Sequence, residues 1–114
     1  MIGTLGAAVV GSVVLVAAAA LPRIDVGPSC RAAAQRAADA SYLPVCLRKE
    51  QDARQAIERQ WREFTAGDKE QCVSRAASAR RGTYTELLTC LELTRDVRLL
   101  RAASTPRTMG RSAK

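Results

Sequence analysis

The cysteines are the residues in this sequence whose type and spacing best define a chemistry. The 114-residue chain has four of them, Cys30, Cys46, Cys72 and Cys90, and it has no histidine. Structural zinc sites bring their ligands in pairs about two to four residues apart, and no two of these cysteines are that close. The spacing also excludes a redox C-x-x-C pair and a C-x-x-C-H haem attachment. We expect no metal and no cofactor, and we interpret the even count as two disulfides, with free buried thiols as the alternative.

Other catalytic chemistry finds no support in the composition. There is no imidazole base, the serine and threonine hydroxyls have no identifiable base partner, and the carboxylates all lie near arginines, as on solvated ion-paired surfaces. We therefore expect no catalytic residue and no enzyme activity. The four aromatic residues are Tyr42, Trp61, Phe64 and Tyr84. Four aromatic residues are too few to form the stacking surface that binds single-stranded nucleic acid, so we expect no nucleic-acid binding.

The elements that carry the cysteines follow an apolar amino terminus. All 18 Lys+Arg and all 11 Asp+Glu lie from Arg23 onward. Residues 1–22 are therefore predicted to be a signal peptide, with Ala18-Ala19-Ala20 as its cleavage site, or an N-terminal membrane anchor. The positive-inside rule favours a cytoplasmic domain, but the cysteines favour an oxidising compartment. We expect a periplasmic or secreted protein, or one anchored in the inner membrane by residues 1–21.

The rest of the chain divides into a linker at residues 23–29, a helical domain at 30–101 and a disordered basic tail at 102–114. Ser29 is predicted to cap a first, alanine-rich helix that ends near Ala40. The second helix runs from about Val45 to Phe64. Its apolar stripe consists of Cys46, Ala53, Ile57, Trp61 and Phe64.

Charged residues and turn residues set the next boundaries. Glu50–Arg54 and Glu58–Arg62 have the spacing of helical ion pairs on the solvated faces of the second helix. Gly67 is predicted to end that region as a left-handed cap. Asp68, with Gln71 three residues later, is predicted to open a third helix that extends to about residue 80.

A turn at Arg81-Gly82 precedes the most hydrophobic helix. Thr83 and Glu86 have the spacing of a capping box at its start. Its apolar residues are Tyr84, Leu87, Leu88, Leu91, Val97 and Leu100. No segment alternates as a strand would. The predicted fold class is all-α, a small bundle of three to four short helices stapled by disulfides, behind an N-terminal hydrophobic helix.

Helix geometry ranks the cysteine pairings. A hairpin folded at Arg81-Gly82 brings Cys72 and Cys90 to nearly the same height, whereas Cys46 and Cys72 are separated by most of the second helix. The favoured pairs are therefore Cys72–Cys90 and Cys30–Cys46. The second pair requires the first helix to be short or bent around Ala38, because a fully regular helix would hold its cysteines about 15 Å apart.

The segments CLRKEQDARQAIERQWREF, CV and GTYTELLTCLELTRD make the domain similar to a group of small exported, cysteine-containing helical proteins of alphaproteobacteria. The likeness covers Cys30 to about Asp96, and it implies an exported helical protein with no assigned activity. A looser similarity is to small periplasmic lysozyme inhibitors of helical build.

These observations predict a noncatalytic exported or membrane-attached interaction protein, such as an accessory subunit of a membrane or periplasmic complex. The alternative is an inhibitor of a cell-wall-degrading enzyme. Trp61, Phe64 and Tyr84 are the candidate residues, either as core residues or as anchors for an unknown protein partner. The basic tail at 102–114 is the candidate contact with an anionic membrane surface.

Overall fold

The computed structural model describes residues 3, 6, 20–79 and 82–112, with side chains in the last segment as far as residue 104. Four α-helices form this part of the chain: α1 (Gly27–Ala37), α2 (Tyr42–Gln60), α3 (Ala66–Ser78) and α4 (Tyr84–Ser112). A 3₁₀ turn at Trp61–Glu63 follows α2 directly. No strand occurs among the described residues. The predicted all-α class is confirmed.

Two helical hairpins, each closed by its own disulfide, make up the bundle. Cys30–Cys46 joins α1 to α2 with a Cα separation of 5.5 Å, and Cys72–Cys90 joins α3 to α4 with one of 5.6 Å. Both predicted pairs are confirmed. The hairpins meet where α2 packs along α4, so α1 and α3 are the outer helices.

The end of α1 explains how Cys30 reaches Cys46. Ala38 adopts a left-handed conformation with φ 51°, and its N–H donates to the carbonyls of Ala34 and Gln35. The Asp39 N–H donates to the Ala34 carbonyl at 3.2 Å, which completes a Schellman motif and turns the chain back. The helix therefore ends at Ala37 instead of Ala40, as the disulfide required.

The other helix starts differ from the predicted ones. α1 begins at Gly27, so Ser29 lies inside its first turn, and α2 begins at Tyr42. α3 is opened by a capping box between Thr65 and Asp68, with Asp68 as its third residue. The predicted cap at Asp68 was therefore one turn late. Gly67 lies inside the first turn of α3 without a positive φ, so the predicted left-handed cap there is wrong.

The approach to α4 contains a glycine with a steric role. A Cβ at Gly82 would lie 2.6 Å from the Ala76 carbonyl oxygen, so a side chain there would collide with the backbone of α3. Thr83 then caps α4 as predicted, because its Oγ1 accepts from the Glu86 N–H at 3.0 Å. The helix continues to Ser112, through the segment for which disorder was expected from residue 102.

The core lies where α2, α3 and α4 meet. Its buried members are Ile57, Phe64, Cys72, Tyr84, Leu87 and Leu91. The segment just before α1, part of the predicted linker, also packs there: Leu21, Ile24 and Val26 cover the cluster, and the Ile24 N–H donates to the Tyr84 hydroxyl at 2.8 Å. We call residues 21–26 the N-terminal arm.

The predicted N-terminal hydrophobic helix lies almost entirely outside the described residues. Among the residues that are described, no helix has the length and hydropathy needed to cross a membrane.

Candidate functional site

The buried charged side chains of the described chain are Glu50, Asp68 and Lys69. A buried charge is stable only when it is paired or hydrogen-bonded, and buried charged groups are also common in catalytic sites. The partners of these three side chains therefore decide which of the two roles applies.

Glu50 binds the amino terminus of α4. Its Oε2 accepts from the Tyr84 N–H at 2.7 Å and from the Thr85 N–H at 3.4 Å, and its Oε1 accepts from the Thr85 hydroxyl at 2.5 Å. The first N–H groups of a helix have no partner within it, and the helix dipole favours a negative charge there. Glu50 is therefore a cap supplied by another helix. Its predicted ion pair with Arg54 on a solvated face is wrong, because Arg54 pairs with Glu58 at 3.2 Å.

Asp68 has a comparable structural role near the middle of α4. Its Oδ2 accepts from the Thr65 N–H at 3.0 Å and from Arg98 Nη2 at 3.1 Å. Burial acts to raise the pKa of Asp68, but the Thr65 and Arg98 hydrogen bonds outweigh burial and lower that pKa below its ordinary value. Arg98 also donates to the Glu63 carbonyl at 3.5 Å. The carboxylate thus joins the start of α3 to α4 and is ionised at neutral pH.

The three predicted core or anchor residues share one cluster but differ in exposure. Phe64 and Tyr84 are buried, whereas Trp61 is only partly buried at the edge of the cluster. The Lys69 ammonium lies 4.6 Å from the centre of the Trp61 ring, a cation–π contact. Arg95 lies in the same way against Phe64, at 5.3 Å. The aromatic rings therefore face the core or these cations.

All four cysteine sulfurs are in disulfides. Within the described residues, no three side chains of the His, Cys, Asp and Glu types are grouped in a way that could hold a metal ion. The buried charges are likewise engaged by helix ends and an aromatic ring.

A groove of about 380 Å³ runs between α3 and α4. The Cys72–Cys90 disulfide lines it, with Arg75 on the α3 side and Glu86 and Leu93 on the α4 side. The groove combines apolar atoms with one charge of each sign at its walls. Sequence reasoning missed it, because it depends on how far apart the disulfide holds the two helices.

Beyond Leu93 an uncovered apolar row continues along α4. Leu93, Val97 and Leu100 are 60%, 43% and 69% exposed. Their spacing of four and then three residues places them on one face of the helix. We call these three residues the α4 stripe. Only the first half of α4 packs into the core, through Leu87 and Leu91.

Comparison of the chain with protein-family models, with curated proteins and with solved structures finds no match in any of the three. The similarity to small exported helical proteins of alphaproteobacteria stays a prediction.

Proposed function

We propose that this protein is a noncatalytic exported interaction protein, an accessory subunit that binds a larger protein of a membrane or periplasmic complex. The observation that carries the proposal is the exposed α4 stripe beside the groove over Cys72–Cys90. Three aligned apolar side chains left in water on a small domain are typical of a surface that another protein covers.

The spacing of the stripe indicates the form of the partner. Apolar residues at i, i+4 and i+7 form a seam along which a second helix can pack. The chain carries a net charge of +7, which favours an acidic partner and opposes association with a copy of itself. The partner we propose is therefore an apolar helix or ridge with acidic residues beside it.

Two disulfides support the exported location within the proposal, because such bonds persist in oxidising compartments and are rare in the cytosol. The Cys72–Cys90 bond also holds α3 and α4 at a fixed distance. The groove and the stripe are then presented as a preformed surface, which lowers the ordering cost of binding.

The test is capture of partners by the tagged, oxidised full chain from solubilised membranes of the native host. The variant Leu93→Asp/Val97→Asp places charges in the stripe. A matched control, Val45→Asp/Leu47→Asp, alters two exposed apolar residues on α2 that are 47% and 40% exposed. Circular dichroism and thermal unfolding establish that both variants fold.

We expect the wild type and the α2 control to retain the same protein, which the stripe variant loses. The purified partner should then bind with an affinity at least about tenfold weaker for the stripe variant, because each buried apolar side chain contributes about 1.5–3 kcal/mol. Equal retention by the stripe variant would overturn the proposal. Inhibition of lysozyme in a turbidity assay, unaffected by the stripe substitutions, would favour the inhibitor alternative.

A further inference from the structure

The second half of α4 extends past the other described helices. α2 runs parallel to α4, since Glu50 contacts Thr85 at one end and Gln60 accepts from Arg95 at 2.8 Å near the other. α3 runs antiparallel to α4, so its first turn meets α4 at Arg98 through Asp68. Both neighbours of α4 therefore end at the level of Arg98. Residues 99–112 form about 21 Å of helix beyond that level.

This projecting end has the chemistry of a lipid-facing helix. Leu99 and Leu100 are 53% and 69% exposed, and every described side chain from 99 to 104 is exposed. From Leu99 onward the sequence contains no acidic residue and four basic ones: Arg101, Arg107, Arg111 and Lys114. The described side chains of this end bury little surface, and a short helix that buries little is only marginally stable in water, so an added surface would stabilise it.

We infer that the end of α4 from Leu99 onward binds the surface of a membrane rich in anionic lipids. Its charge is complementary to such a surface, to which each nearby Lys or Arg adds attraction, and its exposed leucines can enter the boundary between headgroups and acyl chains. Leu99 and Leu100 lie about 100° apart around the helix, so Leu99 falls outside the face of the α4 stripe. A fluid surface can accommodate that arrangement, whereas a protein groove needs a narrower apolar stripe.

A second copy of the chain fits this end poorly. Side-by-side pairing of two such ends would bring basic segments with no acidic residue against each other. The inference goes beyond the proposed function, because the lipid contact begins at Leu99, shares only Leu100 with the α4 stripe, and needs no protein partner.

The experiment places a fluorescent reporter at the projecting end of the full chain. Trp61 is the single tryptophan, so the variant Trp61→Phe/Leu100→Trp carries one indole at that end. Trp61→Phe/Leu47→Trp is the matched control, with the indole at an exposed α2 position. Because both variants contain the same residues 1–19, any association of that segment with lipid is common to both.

We expect the emission of the Leu100→Trp variant to shift to shorter wavelength with vesicles of phosphatidylglycerol and phosphatidylcholine, but not with phosphatidylcholine alone. The Leu47→Trp control should not shift. Adding Arg101→Glu to the reporter should raise the lipid concentration needed for half the shift about fivefold or more, because each basic residue near an anionic surface contributes about 1 kcal/mol.

Four results would overturn the inference: no shift with either vesicle, equal shifts with both, a shift that follows protein concentration without lipid, or a shift with poly-glutamate alone. The third would identify a second copy as the partner and the fourth an acidic protein surface. None of these results depends on Leu93 or Val97, the two residues changed in the capture experiment. Failure of this inference can therefore be distinguished from failure of the proposed function.

Discussion

Replacement of Glu50 by alanine tests the role assigned to the buried carboxylate. Glu50 is 5% exposed and accepts three hydrogen bonds from the first turn of α4. In Glu50→Ala the Tyr84 N–H loses its acceptor while it stays buried. The Thr85 hydroxyl and N–H lose theirs at a partly exposed position, where water can replace part of the interaction.

The magnitude follows from these contacts. A buried N–H group that is left without an acceptor lowers the free energy of unfolding by about 1–3 kcal/mol. The lost interaction between a negative charge and the helix dipole costs about 0.3–1 kcal/mol, or up to about 2 kcal/mol when partly buried. We therefore expect Glu50→Ala to lower the free energy of unfolding by about 2–4 kcal/mol. Glu50→Gln keeps one acceptor oxygen for the Tyr84 N–H, so it should cost less than the alanine variant.

The assay is urea unfolding of the oxidised chain, followed by the fluorescence of Trp61. The matched control is Glu58→Ala on the same helix, whose side chain is 50% exposed and pairs with Arg54 at the surface. Such a pair contributes about 0.2–1 kcal/mol. If Glu50→Ala costs no more than Glu58→Ala, Glu50 is not the cap that the hydrogen bonds indicate, and the reasoning fails.

Four further predictions concern other features. The pKa of Asp68 is lowered in the fold, so the contribution of its carboxylate to stability is complete above about pH 4 and is lost as the pH falls through the lowered pKa. Asp68→Asn should therefore weaken the fall of the free energy of unfolding in acid, and an unchanged fall would contradict this. Ala38→Gly should stabilise by about 0.5 kcal/mol in thermal unfolding, because Ala38 has a φ of 51°, and a loss of stability would count against strain there. Trp61→Ala should cost about 2 kcal/mol in urea, less than the roughly 3–5 kcal/mol of a fully buried tryptophan, because the ring is partly exposed. Alkaline phosphatase fused after residue 101 should be active in a bacterial host; an inactive enzyme beside a fluorescent cytoplasmic fusion would refute export.

Features that depend on spacing along one helix or one hairpin could be predicted from the sequence. The Cys72–Cys90 pair follows from two helices folding back at a turn between them, and Cys30–Cys46 follows if α1 ends near Ala38. The Thr83 cap is also a local feature, because the accepting hydroxyl and the donating Glu86 N–H are three residues apart. These contacts need no knowledge of how the two hairpins meet.

Features that depend on contacts between the hairpins could not be predicted. Glu50 has Arg54 one turn away, so spacing alone indicates a surface ion pair, whereas the fold places Glu50 at the start of α4, 34 residues further on. Residues 23–26 of the N-terminal arm have the sequence of a linker, and the Tyr84 hydroxyl that binds the Ile24 N–H lies 60 residues away. The exposure of Val97 and Leu100 likewise depends on where α2 and α3 end.

The pairing of neighbouring cysteines has a consequence for how the chain matures. Each disulfide joins two cysteines that are consecutive in the sequence, with separations of 16 and 18 residues. If the chain crosses a membrane amino terminus first, Cys46 arrives while Cys30 is the only other thiol present, and Cys90 arrives when Cys72 is the only thiol left. An oxidant that acts on thiols in their order of arrival therefore makes the native bonds without reshuffling. The contacts between hairpins, at Glu50 and at the N-terminal arm, form only once α4 has followed.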